Sequence, residues 1–143
     1  MNSLELAKSN IRQALERLRH AKEAFEEGNY PFTVRQSQEA VELALKASLR
    51  LVGVEPPKWH DVGPILKRER GKFPQWFQES IDELASISRS LRKERELAMY
   101  GDEEAGFSPE ELYVKSDAEY AIRSAEKVVS SVNRLLDEAV KKS

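Results

Sequence analysis

Apolar residues recur in steps of three and four along most of the chain, and this spacing restricts the fold more than any other feature. In the first such segment it connects Leu4, Ala7, Ile11, Ala14, Leu18, Ala21 and Phe25. Side chains at this spacing lie on one face of an α-helix, where they form a seam that packs against other helices. No segment shows the sustained alternation of a β-strand. The sequence therefore predicts an all-α protein.

Four segments are long enough to form the helices of a bundle, and a fifth, short segment lies between the second and third of them. The predicted helices cover about 4–26, 31–52, a short stretch capped by Asp61 that includes Ile65 and Leu66, 75–100, and 109–141. The second helix carries apolar residues on several faces, which indicates a central position. We expect residues 1–143 to form a single domain, an antiparallel up-and-down bundle of four long helices plus one short helix.

The start of the last helix is the clearest boundary in the sequence. Ser108 provides an N-cap, Pro109 occupies the first helical position, and Glu111 completes a capping box. The expected seam of this helix consists of Val114, Ala118, Ala121, Ala125, Val128, Val132, Leu135 and Ala139.

The overall composition excludes several classes of protein. The 143 residues include 23 basic and 25 acidic side chains, and the net charge of −2 argues against a protein that coats polyanions, although a local basic groove in a dimer stays open. The absence of cysteine excludes disulfides and thiolate metal sites and favours the cytoplasm. We expect no signal peptide and no membrane span. No zinc-ligand spacing or glycine-rich phosphate loop is present, so neither a metal nor a cofactor is expected.

Arg95 occupies a position where the spacing predicts an apolar side chain. The seam of the 75–100 segment consists of Phe77, Ile81, Leu84, Ser88, Leu91, Arg95 and Ala98. A buried guanidinium without a partner would cost several kcal/mol. Arg95 is therefore expected to contact a phosphate in a cleft, to pair with a carboxylate of the bundle, or to pack its aliphatic stem while its head stays in water.

Three further residues are candidates for the same site. Tyr100, at the end of the helix, is a candidate to hydrogen-bond a ligand or to accept a nucleotidyl group, or it simply closes the helix end with its hydroxyl in water. Asp102 begins an acidic run that would orient Arg95, hold a metal, or form a solvated loop. His60 lies in the loop before the short helix, beside the predicted cap Asp61.

Four aromatic residues flank the short helix: Trp59, Phe73, Trp76 and Phe77. Exposed rings of this kind would stack on nucleic-acid bases. The other interpretation is a small core that closes one end of the bundle, or a dimer contact.

Several stretches, taken in order, resemble the HEPN domain family. Gly28-Asn29-Tyr30 precedes a helix with the sequence QEAVELALKA at 38–47, Trp59-His60-Asp61-Val62 follows it, and RELAMYGD at 95–102 ends a later helix. The resemblance covers about residues 4–136. It implies a helical bundle that dimerises, and a partner, since many members are encoded beside a minimal nucleotidyltransferase in toxin–antitoxin pairs.

The resemblance also implies a test for catalysis. Ribonuclease members carry an arginine, four to six further residues and a histidine, and the dimer places two such motifs in one cleft for metal-independent cleavage of RNA. That reaction needs a base for the 2′-hydroxyl and a cation for the phosphate. In this chain Tyr100 stands where the histidine would be, and no histidine follows Arg95. A tyrosine side chain in water titrates near ~10, so tyrosine is a poor base at neutral pH.

The sequence thus favours a noncatalytic binding or regulatory module that forms a homodimer. We expect its cleft to include Arg95, Tyr100, Asp102 and His60, and to contact a nucleotide, the phosphate of RNA, or a partner nucleotidyltransferase. A ribonuclease toxin of the same fold and a ligand-free helical scaffold are the alternatives.

Overall fold

The computed structural model describes residues 3–58 and 61–142, and within them it confirms the predicted fold class. The described residues form an all-α antiparallel bundle without a β-strand. Its α-helices, which exclude a short 3₁₀ turn at Arg70–Lys72, are α1 (Ser3–Glu26), α2 (Tyr30–Leu51), α3 (Gly63–Arg68), α4 (Gln75–Gln78), α5 (Ile81–Tyr100), α6 (Pro109–Leu112) and α7 (Lys115–Lys142). None of the described helices is long and apolar enough to cross a membrane.

The first two long helices begin and end close to the predicted positions. Gly28, with a φ of 78°, follows the end of α1, because this left-handed conformation favours glycine. Asn29 then caps α2 by accepting a hydrogen bond from the Phe32 N–H at 3.3 Å. The predicted central position of α2 is confirmed, since this helix packs against α1, α5 and α7.

The prediction of one continuous helix over 75–100 is wrong, because the chain turns between α4 and α5. The backbone carbonyl of Gln78 accepts a hydrogen bond from the Arg70 guanidinium at 2.8 Å. The N–H of Ser80 meanwhile donates to the carbonyl of Phe77 at 3.0 Å, which closes a tight turn. The turn separates the four-residue α4 from the long helix that follows.

This turn lets three aromatic side chains form a cluster at one end of the bundle. The ring of Phe77, which is fully buried, stacks on Phe73 at 4.7 Å and meets the edge of Trp76 at 5.6 Å. The Trp76 indole donates to Glu138 on α7 at 2.9 Å, and the Arg134 guanidinium lies 3.8 Å from the centre of its ring. The predicted small core is confirmed for these three residues, while Trp59 lies outside the described residues.

The prediction of one continuous helix over 109–141 is also wrong. Its start is confirmed, because Ser108 and Glu111 exchange the two hydrogen bonds of a capping box at 3.2 and 3.1 Å. Tyr113 is extended, however, with φ −103° and ψ 130°. Asp117 then accepts the N–H of Val114 at 3.0 Å and so starts α7 as a second cap. Val114 was expected in the seam but is exposed.

The short helix α3 begins at Gly63, and Asp61 fixes it against α5. One carboxylate oxygen of Asp61 accepts both the N–H of Gly63 at 3.1 Å and the hydroxyl of Ser88 at 3.0 Å. The backbone of Gly63 also lies against Ala85. Because these contacts involve the first half of α5, the second half extends beyond α3.

Candidate functional site

Arg95 does not face into the bundle as the seam predicted. Leu91 and Ala98 on the same seam are buried, but Arg95 is exposed. The expected ion pair with a bundle carboxylate is made by a neighbour, since Arg92 approaches Glu42 of α2 at 3.2 Å. Among residues 3–58 and 61–142, Arg95 has no hydrogen bond or ion pair. Its guanidinium is therefore a cation that the described part of the chain does not neutralise.

Arg95 and Tyr100 line the same shallow depression, of about 480 Å³, on the surface of α5. We refer to it as the basic depression, and its lining residues are Arg92, Lys93, Arg95, Glu96, Met99 and Tyr100. Tyr100 is 62% exposed. Three of the lining side chains are basic and one is acidic, so the surface favours an anion. All six belong to one helix, so the described part of the chain provides a single wall of the depression.

Asp102 lies away from the basic depression and organises the loop that follows α5. One of its carboxylate oxygens accepts the N–H of Ala105 at 3.0 Å, and its own N–H donates to the carbonyl of Phe107 at 2.8 Å. Asp102 also lines a cavity on the other side of α5. The structure therefore brings Arg95 and Tyr100 together but separates them from Asp102. The remaining candidate, His60, lies outside the described residues.

The cavity beside Asp102 has a volume of about 340 Å³ and was not predicted. We refer to it as the tyrosine cavity, and its lining residues are Val34, Ser90, Leu91, Glu94, Leu97, Asp102, Leu112, Tyr113, Asp117, Tyr120 and Ala121. The Tyr113 hydroxyl donates to a carboxylate oxygen of Glu94 at 2.5 Å. The sequence contained only half of a signal for the helix break that forms this cavity: Asp117 stands three residues after Val114, as the acidic member of a capping box does, but valine is not a capping residue.

The hydrogen bond of the Tyr113 hydroxyl is expected to stabilise the folded protein. Burial, and then the hydrogen bond to Glu94, raise the pKa of Tyr113 above its ordinary value. We expect Tyr113→Phe to lower the free energy of unfolding by about 1–2 kcal/mol at pH 8, because it removes a hydrogen bond to a carboxylate. Urea denaturation followed by circular dichroism measures this difference.

The same substitution should respond to pH in a defined direction. A raised pKa means that the contribution of the hydroxyl is complete below the pKa of an unfolded tyrosine, about 10, and decreases as the pH rises above it. The difference in stability between the wild type and Tyr113→Phe should therefore shrink between pH 8 and about pH 10.5. A difference that grows over this range would contradict the assignment.

No group of three or more histidine or carboxylate side chains in the described ranges is arranged to hold a metal ion. The chemistry that the described residues offer is therefore a free guanidinium and a phenol on one side of α5, and carboxylates around a partly apolar cavity on its other side.

The described residues thus form an antiparallel helical bundle, with an exposed arginine near the end of its third long helix. The model of the HEPN domain family matches residues 7–135, and the chain belongs to this family. One relative is the Methanocaldococcus jannaschii protein named "Putative toxin MJ1304", which is 30% identical over 140 residues, 95% of this chain and 91% of the relative. The crystal structure of TT1696 from Thermus thermophilus is similar with a TM-score of 0.69 and 25% identity, and the match covers 94% of this chain and 98% of that one.

Proposed function

We propose that this HEPN protein is a binding and regulatory module of the toxin–antitoxin kind, in which the basic depression contacts the phosphate of a nucleotide or of RNA. The observation that carries the proposal is the exposed guanidinium of Arg95, which has no partner among the described residues. A guanidinium forms two parallel hydrogen bonds with a phosphate, and the nearby Tyr100 hydroxyl adds a further donor. The name of the Methanocaldococcus jannaschii relative supports a role in a toxin system.

The binding site requires a second surface, and we propose that a second copy of the chain provides it. Among residues 3–58 and 61–142, every residue that lines the basic depression belongs to α5, and none lies across from it. A two-fold axis beside this helix would place Arg95 and Tyr100 of both copies around one cleft. The Arg95 guanidinium groups of the two copies, which have no partner among the described residues, would then face one cleft and hold a polyanion more firmly than either copy does.

Binding is favoured over cleavage by the residue that follows Arg95. Four residues separate Arg95 from Tyr100, the spacing of the ribonuclease motif, but the second member is a tyrosine. Without a histidine, this pair provides a cation for the phosphate but no effective base for the 2′-hydroxyl. A ribonuclease toxin of the same fold is the second candidate function, and the name of the relative is the observation in its favour.

A binding assay with Arg95→Ala tests the proposal. We expect wild-type protein to bind labelled single-stranded RNA or ATP, and Arg95→Ala to weaken the affinity by at least about tenfold, because a charge-assisted pair of hydrogen bonds is lost. Arg89→Ala is the matched control, since Arg89 is an exposed arginine of α5 outside the depression. Arg95→Lys should recover only part of the affinity, because lysine keeps the positive charge but lacks the two parallel N–H donors of a guanidinium.

Two further outcomes decide between the candidates. Metal-free cleavage of RNA that depends on Arg95 would establish the ribonuclease and overturn the noncatalytic module. If neither RNA nor ATP binds and Arg95→Ala changes only stability, the chain is a scaffold. Light scattering tests the two-copy cleft, and a monomer at high micromolar concentration would exclude it.

A minimal nucleotidyltransferase is the partner that we propose for this module. The exposed Tyr100 hydroxyl at the edge of the depression is accessible to another protein. Co-expression with a minimal nucleotidyltransferase from the same genome should give a complex that elutes as one peak in size-exclusion chromatography. The partner proposal fails if the two proteins elute separately at micromolar concentration.

A further inference from the structure

We propose that the tyrosine cavity is a second binding site, which takes an organic cation: an ammonium or guanidinium group on a short apolar chain. This site is distinct from the basic depression and does not depend on the function proposed for it. Its volume of about 340 Å³ lies within the range of small-molecule pockets, roughly 300–1,000 Å³.

The walls of the cavity suit an alkyl chain. Four helices contribute apolar side chains to these walls: Val34 from α2, Leu91 and Leu97 from α5, Leu112 from α6 and Ala121 from α7. Tyr113 lies against them with 7% of its surface exposed, and its hydrogen bond to Glu94 fixes the ring. Because four separate elements hold these residues, the cavity exists before a ligand enters and little order has to be created on binding.

The charged groups of the cavity select a cation. Glu94, Asp102 and Asp117 are carboxylates, and none of the described residues that line the space is a lysine, an arginine or a histidine. Each carboxylate uses one oxygen for an internal hydrogen bond, to the Tyr113 hydroxyl or to a backbone N–H, and its other oxygen has no partner in the described part of the chain. A phosphate at about 4 Å from one carboxylate would be repelled by about 1 kcal/mol in water and about 4 kcal/mol at a dielectric constant of about 20. The cavity therefore binds a nucleotide more weakly than a cation of similar size.

The spacing of the carboxylates favours an organic cation over a metal ion. They line one space, but within residues 3–58 and 61–142 no three acidic side chains converge as metal ligands do. A molecule with an extended body reaches more than one of them. Tyr120, 48% exposed, also lines the cavity, and an aromatic ring attracts a cation that binds over its face. The ligand class that fits all of these groups is an amine or guanidine on an alkyl stem of a few carbons.

Isothermal titration calorimetry with agmatine and n-butylammonium tests this site. We expect saturable binding of both, weaker binding as the salt concentration rises, and at least about tenfold weaker binding of the uncharged analogue 1-butanol. The double variant Glu94→Gln, Asp117→Asn should weaken agmatine binding by about tenfold or more, since both carboxylates lose their charge. Glu96→Gln is the matched control, because Glu96 is on the same helix but lines the basic depression.

A second variant distinguishes a loss of ligand binding from a loss of folding. Ser90 is exposed and lines the cavity, so Ser90→Trp should block the ligand without disturbing the core, which circular dichroism checks. Equal affinity for agmatine and 1-butanol, no binding of any cation, or full affinity in the double variant would each overturn the proposal. Arg95→Ala should not weaken agmatine binding, so this site and the phosphate site can fail separately.

The same experiment identifies where the cation comes from. Binding of free agmatine with no binding of the capped peptides acetyl-Gly-Lys-Gly-amide and acetyl-Gly-Arg-Gly-amide supports a free polyamine-like ligand. Tighter binding of a capped peptide than of agmatine supports a lysine or arginine side chain of a partner polypeptide.

Discussion

Replacing Gly101 by alanine is expected to lower the free energy of unfolding by at least about 3 kcal/mol. Gly101 follows the last residue of α5 with φ 76° and ψ −169°, a combination that is essentially restricted to glycine and costs other residues about 1–3 kcal/mol. An added Cβ would also lie 2.2 Å from the carbonyl oxygen of Phe107 and 3.0 Å from the carbonyl carbon of Ser108. Both neighbours are backbone atoms, so the loop itself would have to move.

Gly106→Ala is the matched control for this prediction. Gly106 is in the same loop with a φ of 80°, but a Cβ built on it meets nothing within 4 Å. It should therefore cost only about 1–2 kcal/mol, from the left-handed backbone alone. Urea denaturation of the two variants compares them directly. If both variants lose the same free energy of unfolding, the close approach of Gly101 to Phe107 does not add to the cost of Gly101→Ala.

The second large effect is expected at Phe77, where alanine should cost about 3–5 kcal/mol. The ring is fully buried and lies between Phe73 and Trp76, so its removal leaves a cavity that these rigid rings cannot easily fill. Trp76 in turn connects this cluster to α7 through Glu138. We therefore expect the loss to reduce the stability of the whole bundle rather than to unfold α4 alone.

Phe107→Ala provides the comparison for Phe77→Ala. Phe107 is 49% exposed, and its contribution to the loop comes from its backbone N–H and carbonyl, which the substitution keeps. Its cost should stay below about 1 kcal/mol. Differential scanning calorimetry separates the two cases. If the Phe77→Ala and Phe107→Ala proteins have the same melting temperature, the aromatic cluster is not part of the cooperative core.

The long helices could be predicted because their signals are local. The three-and-four spacing around Ala7 and Ile11 acts over a few residues, and the structure follows it. The capping box at Ser108 is equally local and is confirmed.

The two helix breaks could not be predicted because distant residues stabilise them. The carbonyl of Gln78 is removed from the helical hydrogen-bond pattern by Arg70, eight residues earlier. The extended Tyr113 is held by Glu94, nineteen residues earlier and on another helix. Local helix propensity does not depend on contacts with distant residues, so both segments were predicted as continuous helices.

Arg95 shows a different limit. Spacing predicts the direction in which a side chain leaves its helix, but not whether another element covers that side. Ala85 and Ser88 of α5 lie against the segment that begins α3. Both are about two to three helical turns before Arg95, so this contact does not cover Arg95, which is exposed to water. Arg95 and Tyr100, which the sequence analysis named together, line one depression, but the expectation that Arg95 faces inward is wrong.

The two sides of α5 have a consequence for how ligands would influence each other. At 100° per residue, Glu94 and Leu97 lie on roughly the opposite side of the helix from Arg92 and Met99. A cation and an anion bound on these two sides would be about one helix diameter apart, roughly 10 Å. They would attract each other by about 0.4 kcal/mol in water and by about 1.7 kcal/mol at a dielectric constant of about 20. By thermodynamic linkage each would strengthen the binding of the other by the same factor, and a single helix would couple the two ligands without any change of shape.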